Sequence, residues 1–337
     1  MIDKGRISNK IAGAFAGVAY GDSMGMPSEF WTPQMIKKHF GKITSLLPAP
    51  DENEITRGLK AGEVTDDTYM TMIIAEAIKE SGGIPKPEKL ADKMLKWAEE
   101  NKSRINNLFG PSTKKALDSI VKGTPVEEAG KFGTTNGGAM RIIPVGVISD
   151  WGNLDALAEN VRLVCLPTHN TNHAISAAAA IAAAVSYAVY GDDNIDKLID
   201  IAKQASLKGE LLGHKSIGAS VARRIELAVE IAKKEKDEDR MLNELYELIG
   251  TGLPANESIP TSLALVYRAG GDPVKCALLT ANIGGDTDTI GAMACGICGA
   301  FKGIDAIPEN SIALLSKANN INLLNIIFDE LTYFPGA

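Results

Sequence analysis

The chain has 337 residues, 45% hydrophobic and 23% charged, with a net charge of −7 and a pI near 5.3. Those are values of a packed globular protein, which excludes a predominantly disordered chain. The acidic balance also argues against binding to nucleic acid through phosphate neutralisation, a local basic patch aside.

Glycine is abundant, at 33 residues, and aromatics are scarce, at 5%, a profile expected of helices packed closely through Gly and Ala. The first segment, "MIDKGRISNKIAGAFAGVAYGD", carries charges but no clean apolar run ending in a small-residue cleavage site, so it does not read as a signal peptide. It leads into "GVAYGDSMGMPSEF" (Gly17 to Phe30), where Asp22 and Glu29 flank a turn. Next comes "GEVTDDTYMTMIIAEAI" (Gly62 to Ile78), whose apolar residues recur at three- and four-residue spacing and predict a helix from Thr68 to Glu80. "ESGGIPKPEK" reads as a helix-to-helix loop, with Gly82 and Gly83 as the C-cap and Pro85 and Pro87 restarting the chain into a helix from Pro87 to Lys102.

"FGTTNGGAMRIIP" (Phe132 to Pro144) has the makings of a phosphate or ribose loop. Paired glycines let backbone N–H groups approach an anion, Thr134, Thr135 and Asn136 add hydrogen-bonding groups, and Arg141 pairs with a phosphate or with a nearby carboxylate. The overlapping run "GAMRIIPVGVIS" is the one strand candidate, and Pro144 interrupts it. "PTHNTNHA" precedes an alanine-rich stretch, Ala174 to Tyr190, which is short and weakly apolar for a membrane span and reads as a buried helix. Lys215 to Gly250 is again helical in period, with "KKEKDEDR" as a solvated face or a helix join.

The last informative stretch is "IGGDTDTIGAMACGICGAF" (Ile283 to Phe301). Its Cys295 and Cys298 have redox spacing, but they lie inside a small apolar run without a basic neighbour and read as buried structural thiols. Four cysteines in this length suggest no disulfide framework, and the chain reads as cytoplasmic. The expected fold is all-α. No linker or internal repeat divides it, so one domain is expected over residues 1–337.

Three of these segments share a design: a helix breaker, then acids and hydroxyls, then a helix of small apolar residues. One carboxylate per helix start is explained by capping and the helix dipole. "TDDT" and "DTDT" each carry two acids and two hydroxyls, which capping does not explain. Oxygen donors of this kind suit hard divalent cations, and His and Cys are not clustered with them as zinc would require. Asp66, Asp67, Asp286 and Asp288, joined by Thr65 and Thr289, are therefore expected to hold two ions.

"GDSMGMPSE", "GEVTDDTYM", "NGGAMRIIPVG", "PTHNTNHAISAA" and "GGDTDTIGAMACGICGA", in this order, resemble the ADP-ribosylglycohydrolase family, which includes the enzyme that reactivates dinitrogenase reductase. The resemblance implies a compact domain of orthogonal helices around a central dimetal cleft, with magnesium or, as the other choice, manganese, cleaving an N- or O-glycosidic bond to ADP-ribose. Carried onto this chain it implies Thr65, Asp66, Asp67, Asp286, Asp288 and Thr289 as metal ligands. It places Glu29 beside the metals as a ligand or as an acid/base, with Asp66 and Asp288 also in the catalytic set. Asn136, Gly137, Gly138, Met140, Arg141 and His169 are implied to bind substrate, while His173 reads as a first-turn helix residue. Asp22 is left between a turn cap and a site residue.

Glycosidic cleavage needs leaving-group protonation and an activated water, roles that carboxyl groups and metal ions can share. In relatives acting on ADP-ribosylarginine an additional acid is expected near Asn106 and Asn107, where this chain has amides, so arginine specificity is in question. The expected substrate is an ADP-ribosylated protein or a small ADP-ribosyl compound or riboside, with neither a membrane nor sequence-specific nucleic acid as partner. A nucleoside-type N-riboside hydrolase and a non-catalytic ADP-ribose-binding protein remain as alternatives.

Overall fold

The computed structural model describes residues 4–101 and 109–319; Asn106 and Asn107 lie outside the described residues. The fold is all-α. Among the described residues there are sixteen helices, and extended structure is limited to isolated bridges such as Trp31 with Gly285. The helices are α1 Lys4–Gly25, α2 Pro33–Phe40, α3 Asp66–Glu80, α4 Pro87–Glu100, α5 Pro111–Val121, α6 Val126–Ala129, α7 Ile143–Ile148 and α8 Leu154–His169. After them come α9 Asn172–Tyr190, α10 Ile195–Gly209, α11 Val221–Lys234, α12 Glu238–Glu244, α13 Ala255–Ala269, α14 Pro273–Ile283, α15 Thr287–Lys302 and α16 Glu309–Ala318.

The local signals account for most ends. Asn153, Thr171, Asn194 and Asp272 each accept a backbone N–H as N-caps of α8, α9, α10 and α14. The strand candidate is helical: α7 begins within it, and Pro144 sits in the first turn, where no amide hydrogen is needed. The long periodic run from Lys215 is split, with Glu235 to Asp237 joining α11 to α12, so "KKEKDEDR" does form a helix join.

The alanine helix α9 is, among the described residues, the one helix long and apolar enough to cross a membrane, and 94% of it is buried inside the fold. Alanine lets neighbours approach it from every side. The CGIC thiols are likewise buried in α15, beside Cys276 of α14.

The seam that positions the site is α1 against α15, running antiparallel. Gly13, Gly17, Gly21 and Gly25 recur every fourth residue along one face of α1, and opposite them stand Gly299, Cys295, Gly291 and Thr287. A Cβ at Gly21 would lie 2.0 Å from the Gly291 carbonyl oxygen, and one at Gly299 would lie 1.9 Å from that of Gly13. The two backbones touch, so the end of α1 and the start of α15 are held at one spot.

Candidate active site

At that spot three helix ends converge. α1 runs into a short 3-10 turn, Met26–Ser28, that delivers Glu29. Asn53 Nδ2 donates to the Glu29 carbonyl at 3.1 Å, and Thr56 Oγ1 donates to that of Met26 at 3.0 Å, holding the turn down. From the other side Phe30 N donates to Gly285 O at 2.7 Å, and Gly285 N donates to Trp31 O at 2.8 Å. Gly284 and Gly285 have φ of 84° and 81°, and a Cβ on Gly285 would meet Thr251 Oγ1 at 2.2 Å. Glycine is required there by both conformation and space. The next residue, Asp286, donates its N–H to Thr251 O at 2.7 Å and occupies the N-cap position of α15 without a side-chain capping bond.

The third end is α3. Thr65 is its N-cap, and Asp66 and Asp67 occupy its first turn. Asp22, one helix away in α1, reaches across with both oxygens. It accepts Thr65 N at 3.0 and 3.1 Å, Thr68 N at 3.2 Å, and the Thr68 hydroxyl. Asp22 thus fastens the N-terminus of α3 to α1, a role sequence left open because its partners lie more than forty residues away. Thr65 Oγ1 and Thr289 Oγ1 both donate to Asp67 Oδ2, at 3.1 and 3.2 Å, tying α3 to α15. Asn136 Nδ2 donates to Asp286 Oδ2 at 2.6 Å and to Ser258 Oγ at 3.1 Å.

Glu29, Thr65, Asp66, Asp67, Asp286, Asp288 and Thr289 all line one cleft of about 240 Å³. Carboxylate oxygens of Glu29, Asp286 and Asp288 lie within 4.8 Å of one another. Burial above all, and then Asp288, pushes the carboxyls of Glu29, Asp67 and Asp286 well above the usual range. Burial and Asp22 do the same for Asp66. Asp288 is raised to about 7 by burial and then by Asp22 and Asp66. Among the described residues that line the cleft there is no Lys, Arg or His. Asp67 Oδ1 and Asp288 Oδ1 are buried without any hydrogen-bond partner. Orphaned carboxylate oxygens in an all-oxygen donor set are what a hard divalent cation fits.

Of the residues expected to bind substrate, Asn136, Gly137 and Met140 line the cleft. Gly138, Arg141 and His169 do not, and stand behind its wall. Arg141 is 0% exposed, its Nη2 donating to Thr168 Oγ1 at 2.6 Å. His169 is also 0% exposed and is bonded through both ring nitrogens. The remaining wall comes from Phe30, Ile55, Thr56, Phe109, Gly110, Pro111, Thr113, Thr135 and Leu253. Of these, Thr135 had a sequence signal, within the glycine-bearing loop Phe132 to Pro144; Ile55 and Leu253 had none.

An all-α scaffold whose helix termini gather five acids in one cleft presents an all-oxygen donor set suited to divalent ions. The model of the family described as ADP-ribosylglycohydrolase matches residues 3–333, and the chain belongs to that family, whose members are hydrolases acting on glycosidic bonds of ADP-ribose. It is 39% identical over 318 residues to the uncharacterized protein YegU of Escherichia coli K12, covering 94% of each chain. It is 25% identical over 337 residues to the ADP-ribosylhydrolase ARH3 of Homo sapiens, covering 90% of this chain and 88% of that one. A solved structure titled ADP-ribosylglycohydrolase-related protein complex shares the fold, with a TM-score of 0.69 at 23% identity over 98% of both chains.

Proposed function

We propose that the protein is a metal-dependent glycosidic-bond hydrolase that removes ADP-ribose from a modified side chain or a related ADP-ribosyl compound. The observation that carries this reading is five buried carboxyl groups on converging chain ends, two of them with an orphaned oxygen and, among the described residues that line the cleft, none facing a cation. Thr65, Asp66, Asp67, Asp286, Asp288 and Thr289 would hold two divalent ions, magnesium first and manganese second. When bound, such ions supply charge compensation, orient ribose hydroxyls and acidify water.

The chain's own residues supply the rest. Glu29, drawn toward its protonated form by burial, holds or takes a proton at the scissile bond, and Asp66 and Asp288 share that end of the cleft. Asn136 fixes the Asp286 carboxylate through Oδ2. The wall at Asn136, Gly137 and Met140 receives the ribose and diphosphate.

The test is release of ADP-ribose from ADP-ribosylated serine and arginine peptides after chelation and after readdition of Mg2+ or Mn2+. Metal-dependent release on either peptide supports the reading. Release of base from simple ribosides without release of ADP-ribose would favour a nucleoside-type hydrolase, and binding of ADP-ribose without turnover would favour a binding protein.

A further inference from the structure

Glu29 reaches the cleft on a turn whose corner holds an unexpected residue. Trp31 N donates to Ser28 O at 3.0 Å, closing four residues, and Glu29, second of the four, has φ −52° and ψ 128°. Those are the angles that open a type II turn, whose third residue takes a positive φ and is ordinarily glycine. Here it is Phe30, with φ 55°, and among the described residues no other non-glycine residue has a positive φ. A side chain in the left-handed region crowds its own backbone, so glycine would build the same turn at lower energy.

The ring does not fill the core. Phe30 is 42% exposed and Ile55 37% exposed, and neither belongs to the hydrophobic core or packs against it. Both line the cleft. They are mounted on one clasp. Asn53 Nδ2 donates to the carbonyls of Pro27 and Glu29, while its Oδ1 accepts the N–H groups of Ile55 and Thr56 at 3.0 and 3.2 Å. Two exposed apolar side chains therefore flank the backbone that carries Glu29, and the bond from Phe30 N to Gly285 O ties that backbone to the glycine pair ahead of α15.

We infer that Phe30, seconded by Ile55, is a specificity-determining residue that covers the leaving group. The inference rests on the reading in which Glu29 acts at the scissile bond: what lies against the neighbours of Glu29, outside the acid cluster, is then the departing group. Backbone strain kept next to a reacting group is accounted for by such a contact. An apolar lip there favours a leaving group that presents carbon beside the scissile bond, as a modified side chain on a peptide does, over one that is small and fully hydrated.

The full chain in Mg2+ is assayed for kcat/KM on the ADP-ribosylated peptide it cleaves, with ADP-ribose affinity by calorimetry and thermal unfolding without ligand alongside. Phe30→Gly removes both ring and strain. It should melt within about 2 °C of wild type or above it, because the strain relieved offsets the added freedom of unfolded glycine. It should bind ADP-ribose, which has no leaving group, within about 3-fold, and lose about 10-fold in kcat/KM, the scale of uncovering about half of a large apolar side chain. Phe30→Leu and Phe30→Asn separate apolar cover from turn geometry, since asparagine tolerates a positive φ and leucine keeps the carbon surface. Phe30→Leu should stay within about 3-fold of wild type, and Phe30→Asn should fall with Phe30→Gly.

Equal kcat/KM for Phe30→Leu and Phe30→Asn would overturn the inference. So would a Phe30→Gly protein that melts several degrees below wild type, or that loses as much ADP-ribose affinity as turnover. Wild-type protein that cleaves a riboside but neither the serine nor the arginine peptide counts against the ADP-ribosyl reading, and the same Leu-to-Asn comparison on that riboside then decides the lip. Wild-type protein that binds ADP-ribose without turnover has no leaving group to cover and overturns both.

Discussion

Replacing Gly21 by Ala places one methyl group in the α1–α15 seam, where its carbon falls 2.0 Å from the Gly291 carbonyl oxygen and 2.4 Å from the carbonyl carbon. A carbon–oxygen contact settles at about 3.3 Å or more, so the helices must part by about 1 Å locally. The obstacle is backbone in the middle of a helix and has no rotamer to move aside. Forcing a methylene into a packed site costs about 1–3 kcal/mol, and a gap of that size forfeits roughly a quarter to a half of each contact's dispersion energy. Removing glycine from a helix interior returns about 1 kcal/mol. The net expectation is a loss of about 2 kcal/mol, or about 3 °C in melting temperature for a chain of this size. Asp22 neighbours the substituted residue, and Asp288 lies three residues before Gly291. The same displacement is therefore expected to cut turnover by about 100-fold, the scale for a 1 Å misplacement of catalytic groups. Gly299→Ala makes an equal clash, 1.9 Å from the Gly13 oxygen, at the far end of the seam. It should lower the melting temperature similarly while sparing more of the turnover. Thermal unfolding and ADP-ribose release measure both. A Gly21→Ala protein that melts at or above the wild-type temperature would refute the close-packed seam.

Three further outcomes are expected. Asp288→Ala should abolish metal-dependent activity with helix content by circular dichroism unchanged, and should not lower the melting temperature of metal-free protein, because it removes one acid from a repelling group; full activity of this variant in chelator would defeat the assignment. Glu29→Gln should reduce kcat about 10²–10⁴-fold, the range for general acid–base catalysis, with a much smaller change in ADP-ribose affinity; equal losses in the two would remove Glu29 from the acid/base role. In metal-free protein two buried aspartates have folded pKa values above their ordinary 3.8, Asp22 near 6 and, in the cleft, Asp288 near 7. Their stability contribution is thus complete below about pH 4 and is lost as pH rises through 6 to 7. Metal-free protein should melt lower at pH 8 than at pH 6, and added Mg2+ should raise the melting temperature more at pH 8; stabilisation by Mg2+ that shrinks over that interval would refute the linkage.

The helical class, the caps and the two acid-bearing helix starts were legible in the residues themselves. Each depends on interactions within about one turn: Thr65 ahead of Asp66 and Asp67, Asp286 ahead of Asp288, and apolar period after both. The glycine content likewise announced close helix packing. Pro144 marked the strand candidate as broken, although its fit to a first helical turn emerged only in the fold.

Everything that depends on which way a side chain faces was decided by tertiary structure. "NGGAMR" lies just ahead of α7 and "PTH" in the last turn of α8, and Arg141 and His169 are buried behind the cleft wall while Asn136 and Thr135 line the cavity. Asp22 lies inside a helix and looks like a surplus acid until α3 arrives to present its free N–H groups. Glu29 and the acids at 286 and 288 meet because glycines let α1 and α15 touch, and Asp22 and Thr289 draw the 66–67 pair to them. Local chemistry sets period and ends within a few residues; the meeting of distant carboxylates depends on how closely two backbones can approach, which only the packed chain determines.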